Sequence, residues 1–259
     1  MLAPQRQAAI LDRVRTAGGV RVGELASDFG VSDMTIRRDL EALAERGLLA
    51  KVYGGATTVG AKSTDEPGFT AKSGRQHAEK VAIATAAADL VTPGDAIALS
   101  AGTTTVELAH RLLDVPDLTI VTNSIPAADV FYRAARADQS VVLTGGVRTP
   151  SDALVGPVAV ATIRSLHLDV LFLGVHGMTE RTGFTTPNLM EADTNRALVA
   201  AAERLVVLAD ATKWGTVGIS SIAALGDADM LITDDKLSDD ARAVLADHID
   251  QLRLVTPRP

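Results

Sequence analysis

At 259 residues the chain is long enough for two domains and a substantial core, and 47% apolar with 3% aromatic side chains fits an α/β protein built on Ala, Val, Leu and Ile. It holds no cysteine, which excludes disulfides, thiolate metal sites and cysteine nucleophiles; no uncharged apolar run reaches the roughly 18 residues of a membrane-spanning helix, so a cytoplasmic protein with no membrane partner is expected. The net charge of −7 is unevenly placed: residues 1–60 carry 8 basic and 7 acidic side chains and residues 61–259 carry 17 and 25, so only the amino-terminal segment can welcome a polyanion.

Ile10, Leu11 and Val14 share one side of the segment Arg6 to Thr16, a first helix that Gly18 and Gly19 stop. Val22, Leu25, Ala26 and Phe29 follow i, i+3, i+4, i+7 and give a second helix ending at Gly30, a residue free to turn left-handed. Ser32 opens the third helix as its N-cap, and Ile36, Leu40 and Leu43 form its apolar stripe. At about 100° per residue the opposite face carries Met34 and Arg38, flanked by Thr35 and Arg37. Read alone, those residues also fit a solvated amphipathic helix. Two short helices joined by a tight glycine turn instead form a helix-turn-helix, whose second helix reads base edges. Arginine suits that work because its planar fork donates twice to guanine or to phosphate. Gly47 closes the helix, and LLAKVYGGAT, Leu48 to Thr57, reads as a strand, a Gly-Gly tip and a return. In this wing Lys51, Tyr53 and the amides of Gly54 and Gly55 could reach phosphates or the minor groove.

The run RQAAILDRVRTAGGVRVGELASDFGVSDMTIRRDLEALAERGLLAKVYGGA resembles, almost end to end, the winged helix-turn-helix of the DeoR family of bacterial transcriptional regulators. TIRRDL followed by GL and a GGA wing carries the resemblance, with Lys51 and Tyr53 standing where Arg and His are expected. It implies a double-stranded DNA operator as partner.

From Thr58 to about Gly74 the chain is polar, with Gly60, Pro67, Gly68 and Gly74, and reads as a linker; for its second half an ordered arm packed on the next domain is the alternative. The expected organisation is a DNA-binding domain over 1–57, a linker over 58–75 and an α/β domain over 76–259. An Ala-rich helix, Glu79 to Val91, leads into a strand over Ala96 to Ser100. Further strands are expected at Leu118 to Asn123, Val141 to Gly146, Asp169 to Val175, Leu205 to Asp210, Met230 to Asp235 and Gln251 to Thr256. Helices fall between them, at Thr104 to Leu113, Ala127 to Ala137, Pro157 to Leu166, Glu191 to Glu203 and Asp239 to Ile249. Near-continuous apolar runs suit strands buried on both faces, in a mostly parallel sheet with helices on both sides.

Polar and glycine residues sit immediately after these strands: Gly102, Thr103, Thr104 and Thr105; Thr122 and Asn123; Gly145 and Gly146; Gly174 and Gly177; Asp210 and Lys213. In an open α/β sheet such positions line the crevice outside the carboxyl ends of the strands, where ligands bind. The GTTT run offers close backbone approach, hydroxyls and the positive end of the next helix, a setting that holds an anion such as phosphate. Lys213 could supply the compensating charge, with His176 and Glu191 as lesser candidates. Each also has a plain structural role open to it: GTTT as a helix cap, Gly145-Gly146 as a turn, Lys213 as a solvated charge, His176 and Glu191 as partners of backbone groups.

The order GTTT, TN, GG, FLGV followed by a glycine, and LAD..K ending in ITD resembles the DeoR family's C-terminal sensor domain, with Ser100 where an aspartate is expected. That resemblance implies a fold similar to ribose-5-phosphate isomerase and glucosamine-6-phosphate deaminase, used to bind a phosphorylated sugar as effector. The reading is then a repressor of sugar-metabolism genes, acting as a dimer or tetramer and released from its operator by a sugar phosphate, with no cofactor and no metal. The competing reading is a sugar-phosphate isomerase or deaminase with a DNA-binding head, for which Asp169, Glu191 and Lys213 are the acid, base and cation candidates.

Overall fold

The computed structural model describes residues 2–17, 19–46, 48–52, 54–58 and 68–257, in two compact units, Met1–Lys62 and Ser63–Pro259. The first unit runs α1 (Ala3–Ala17), β1 (Gly19–Arg21), α2 (Val22–Phe29), α3 (Asp33–Glu45), β2 (Leu49–Val52) and β3 (Gly55–Thr58). Gly30 ends α2 at φ 63, and the Ser32 hydroxyl accepts the Thr35 amide at the start of α3. The three strands pair antiparallel in the order β1-β3-β2, so the wing gains a third strand that the Gly18-Gly19 stop signal concealed. Ile10, Val14, Val22, Leu25, Ile36, Leu40, Leu43 and Leu49 form its core.

One contact in that core is ionic. Asp39, on the inner side of α3, accepts from Arg6 Nε at 2.5 Å and from Gln7 Nε2 at 3.0 Å, and both Arg6 and Asp39 are buried. The pair fixes how α3 lies on α1, and hence where its outer face points.

The second unit opens with α4 (Phe69–Ser73) and α5 (His77–Ala88), followed by β4 (Ala96–Leu99), α6 (Thr103–Arg111), β5 (Thr119–Thr122), α7 (Ile125–Ala134) and β6 (Ser140–Leu143). Then come β7 (Val147–Arg148), β8 (Leu154–Val155), α8 (Pro157–Ile163), β9 (Leu168–Gly174), β10 (Gly177–Thr179), β11 (Gly183–Thr186) and α9 (Leu189–Ala201). The chain closes with β12 (Ala202–Leu208), β13 (Ser220–Ala223), β14 (Met230–Asp234), α10 (Asp239–His248) and β15 (Gln251–Val255). The seven strands expected from apolar runs all join one parallel sheet, in the order β15-β14-β12-β9-β4-β5-β6.

Successive residues face opposite layers, as the pleat demands. Ile97, Leu99, Phe172, Val206 and Ile232 pack with Ile83, Leu108 and Phe131 beneath α5, α6 and α7. Ala98, Leu171, Leu173, Val207 and Leu231 pack with Ile163, Leu198 and Leu245 from α8, α9 and α10.

Two expectations change. β6 is not buried on both faces: as the outermost strand it leaves Ser140, Val141, Val142 and Leu143 exposed, because an apolar run does not reveal whether anything covers it. The small antiparallel sheet β10-β11-β13 and the β7-β8 hairpin are absent from the sequence reading, since strands this short and rich in Gly and Thr leave no periodicity. No helix among the described residues is long and apolar enough to cross a membrane.

Replacing Asp39 by Ala leaves Arg6 without that carboxylate inside the core and is expected to lower the stability of the first unit by about 3 kcal/mol, the scale of breaking a buried pair. Urea unfolding of the full chain, followed by circular dichroism, reads this as an earlier first transition; an unchanged profile would show that the pair does not hold α1 on α3.

Candidate functional site

Helix α3 presents Met34, Arg37 and Arg38 to solvent, with Met34 61% exposed, while Ile36, Asp39, Leu40 and Leu43 point inward. Ser32 and Thr35 close the helix start through their hydroxyls at 3.0 Å. The wing cation Lys51 pairs with Glu41 of α3 at 2.9 Å, an exposed contact that holds the Glu41 carboxyl below its usual range. Gly54 is exposed at the wing tip. Gly55 lies so close to β1 that a Cβ would meet the Val20 oxygen at 2.0 Å, which gives it a packing role of its own. Tyr53 lies outside the described residues.

In the second unit the strand order reverses at β4 and β9. From β4 the chain crosses to β5 and β6; from β9 it proceeds the other way, through β12, β14 and β15. The loops leaving β4 and β9 therefore diverge, the place where an open parallel sheet forms its ligand crevice. At this point the Cβ position of Gly102 is 3.8 Å from the Gly174 Cα, an ordinary van der Waals contact that brings the two loops together. Ser100, fully buried, accepts the Gly174 amide through its hydroxyl at 2.9 Å and so ties β4 to β9.

Several residues expected to touch a ligand turn out to frame the crevice. Thr105 donates to the Ser100 and Gly102 carbonyls at 2.6 and 2.9 Å. Thr122 donates to the Leu99 carbonyl, and Asn123 accepts the Ala101 amide and donates to the Leu154 carbonyl. Glu191 accepts hydroxyls from Thr149 at 2.9 Å and Thr186 at 3.1 Å. The His176 amide donates to the Thr185 carbonyl. Gly145 and Gly146 end the edge strand β6, two strands from the reversal, and Gly177 packs against the Thr216 backbone in β10. Thr103 and Thr104 open α6 directly at the reversal, Thr103 half-buried and Thr104 buried, beside Gly102.

Asp169 is misplaced by the sequence reading. It is the second residue of β9 and accepts the Ala96 amide at 2.6 Å, at the amino ends of β9 and β4. The crevice lies at their carboxyl ends, so Asp169 cannot serve as an acid there.

The residue with the most perturbed environment in this part of the unit, Lys80, is not singled out by the sequence. It stands in the first turns of α5, 4% exposed, and its ammonium donates to the Lys72 carbonyl at the end of α4 at 2.5 Å. Burial pulls its pKa down from 10.5 to about 8; Asp210 and Glu107 act against this, and Lys213 and Lys72 with it. Those partners place Lys80 among α6, the end of β12 and α4. Of six lysines in the chain, two more, Lys72 and Lys213, lie near enough to act on Lys80 through their charge. Lys213 sits 3.9 Å from Asp210. The neighbouring acids also have other partners: Asp210, besides pairing with Lys213, accepts the Thr212 amide, Asp234 the amides of Ala211 and Lys236, Glu79 the Lys236 ammonium, and Glu107 the Arg111 guanidinium. Burial pushes the Asp234 carboxyl above its usual range. An anion at the start of α6 would thus meet a helix N-terminus, with the Lys80 and Lys213 ammoniums in the same part of the unit.

Comparison with known proteins places both halves. Residues 6–61 match the model of the DeoR-like helix-turn-helix domain, and residues 75–235 match that of the DeoR C terminal sensor domain. The HTH-type transcriptional regulator FruR of Bacillus subtilis is 36% identical over 90% of this chain and 92% of its own. GlpR of Haloferax volcanii, another HTH-type transcriptional regulator, is 35% identical over 93% and 94%, and the transcriptional repressor AccR of Agrobacterium fabrum 33% over 88% of each. Among solved structures, ribose 5-phosphate isomerase A from Methanocaldococcus jannaschii aligns over 52% of this chain and 53% of its own, with 17% identity and a TM-score of 0.38.

The Lys80 shift sets two opposite pH trends. Because its folded pKa is below the unfolded one, charging Lys80 opposes folding below about 8, and that cost fades as pH rises from there towards 10.5. Anion binding, by contrast, uses the ammonium and should weaken as pH rises through about 8. Sulfate, whose own charge is constant in this range, should quench or shift the fluorescence of the single tryptophan, Trp214, with an affinity that falls across that midpoint. In Lys80→Met the pH step should vanish; a step of equal size in that variant would assign it to another group.

Proposed function

The chain belongs to the DeoR family of HTH-type transcriptional regulators, and from that premise we propose that it is a repressor whose crevice binds a phosphorylated sugar and whose operator complex dissolves when it does. The observation that carries the reading is that α6 starts at the reversal between β4 and β9, in the unit where the buried Lys80 lies within electrostatic reach of Glu107 on α6 and of Asp210 and Lys213 after β12. A dianionic phosphoryl group fits the dipole and the two ammoniums, and the surrounding hydroxyls and amides suit a polyol. On this reading Thr103, Thr104, Lys80 and Lys213 touch the effector, and Ser100, Gly102, Thr105, Thr122, Asn123 and Gly174 shape its seat.

In the first unit, Arg37 and Arg38 divide base reading from phosphate contact, Met34 and Thr35 lie against the groove, and Lys51 with Gly54 meets the backbone. A module of this size gains operator affinity by pairing, so two copies of the chain on two half-sites are part of the proposal. A sensor and not a catalytic centre is supported by the separation of the acid and base candidates: Asp169 is at the far end of its strand, and Glu191 accepts from two threonine hydroxyls.

Arg38→Ala is expected to cost about 1–3 kcal/mol of affinity for a selected operator and to relax sequence preference, measured by gel shift against operator and scrambled DNA. An equal loss on both would make the contact one to phosphate. Titrating ribose 5-phosphate, glucosamine 6-phosphate and related sugar phosphates into the operator complex should release it. Lys213→Ala should raise the concentration needed while leaving effector-free operator binding intact; release that none of these compounds produces would remove the sensor half of the proposal.

A further inference from the structure

Helix α4 is the first described element after the wing, and it is tied down at the rim of the crevice. The Phe69 amide donates to the Pro150 carbonyl at 3.1 Å, the Lys72 ammonium donates to the Ser151 hydroxyl at 2.9 Å, and the Lys72 carbonyl accepts the Lys80 ammonium. The loop that receives α4 is itself bonded to the crevice frame. The Thr149 hydroxyl accepts the Ser151 amide and donates to Glu191, the Leu154 amide donates to the Asn123 carbonyl, and the Ile125 amide donates to the Asp152 carbonyl. Between α4 and α5 lies Gln76 at φ 49, a left-handed conformation that a residue with a side chain holds only when its neighbours enforce it.

We infer that Lys80 is the coupling residue of the regulator: an effector phosphoryl group takes its ammonium from the Lys72 carbonyl, and α4 is thereby loosened from the sensor unit. This rests on the crevice being the effector site. The chemistry is a competition between two acceptors, a neutral carbonyl and a phosphoryl dianion, for one ammonium that is nearly closed to water. The dianion wins, since its bond to the ammonium joins two ionised partners, whereas the carbonyl is a neutral acceptor. With that tie gone, α4 keeps the Phe69 amide and Lys72 ammonium bonds but is held less firmly, and Gln76 can leave its left-handed conformation. In the sequence α4 is the first described element after the wing, which makes it the part of the sensor unit nearest along the chain to the DNA-binding unit.

Hydrogen exchange of the full-length protein, read by mass spectrometry, tests this without a variant. Saturating ribose 5-phosphate or glucosamine 6-phosphate, whichever shifts Trp214 fluorescence, should speed exchange over residues 69–76 by about tenfold while β4 stays protected, a size within the usual range of site-to-site coupling. Inorganic phosphate should do the same at higher concentration. Ser151→Ala, which loosens α4 and leaves Lys80 in place, should weaken effector-free binding to an operator selected from random DNA by about tenfold and tighten the sugar phosphate, as reciprocity requires. If the sugar phosphate shifts Trp214 and releases the operator while residues 69–76 exchange as before, the coupling through Lys80 is wrong and the crevice reading stands. If no sugar phosphate and no phosphate alters Trp214, both fall.

Discussion

Seven parallel strands deliver their carboxyl ends to one side, and the chain lays them down outward in both directions from β4 and β9. That geometry leaves an opening no crossover can cover. The exposed ends of the strands must still satisfy their amides and carbonyls, and the buried polar side chains do so: Ser100 for Gly174, Thr105 for Ser100 and Gly102, Thr122 for Leu99, Asn123 for Ala101 and Leu154. Each bond contributes about 1 kcal/mol net, but losing one would strand a buried donor or acceptor at higher cost. The frame therefore holds the α6 N-terminus open and in a fixed place.

The charge of that opening runs against the charge of the unit around it. The second unit is acidic as a whole, yet the acids nearest the crevice are occupied by amides or by cations of their own. Lys80 is different: among the described residues its ammonium has a neutral carbonyl as a hydrogen-bond partner, and the residue is buried. Local sign is thus set by which groups are already paired, not by their count. An anion entering here meets cations with bonding capacity to offer, and is repelled elsewhere, which favours small anions that fit the crevice over polyanions that do not.

Much of this was legible in the sequence, and the failures have physical reasons. Apolar runs found all seven strands because buried parallel strands are nearly uniform in character, and glycine or capping residues marked the helix starts at Ser32 and Gly102. The same runs said nothing of register or edges, so β6 was placed in the interior and Asp169, the first polar residue of its strand, was credited to the wrong end. Strand-end threonines and Asn123 were found as a group, but the sequence does not say which of them face inward to the frame. Lys80 left no signal. One lysine near the start of an Ala-rich helix reads as the solvated face, and only the packing of α5 against α6 and the end of β12 buries it. Asp39 was hidden in the same way, a carboxylate on the reading helix that turns inward to meet Arg6.

A ligand moves an equilibrium only by the difference in its affinity for the two states, so the contact it replaces must be neither too strong nor too weak. A covalent or fully buried ionic tie between α4 and the sensor would outlast any metabolite, and a solvent-exposed one would be broken without it. A single hydrogen bond from an ammonium, about 1.5–3 kcal/mol, lies within the range that couplings between sites usually span. Burial sharpens the exchange further. Lys80 is largely buried, so the Lys72 carbonyl competes with few other acceptors for its ammonium, and on the proposed coupling a phosphoryl group would be the one that displaces it. The occupancy of the seat and the freedom of α4 then become two readings of one proton-donating group.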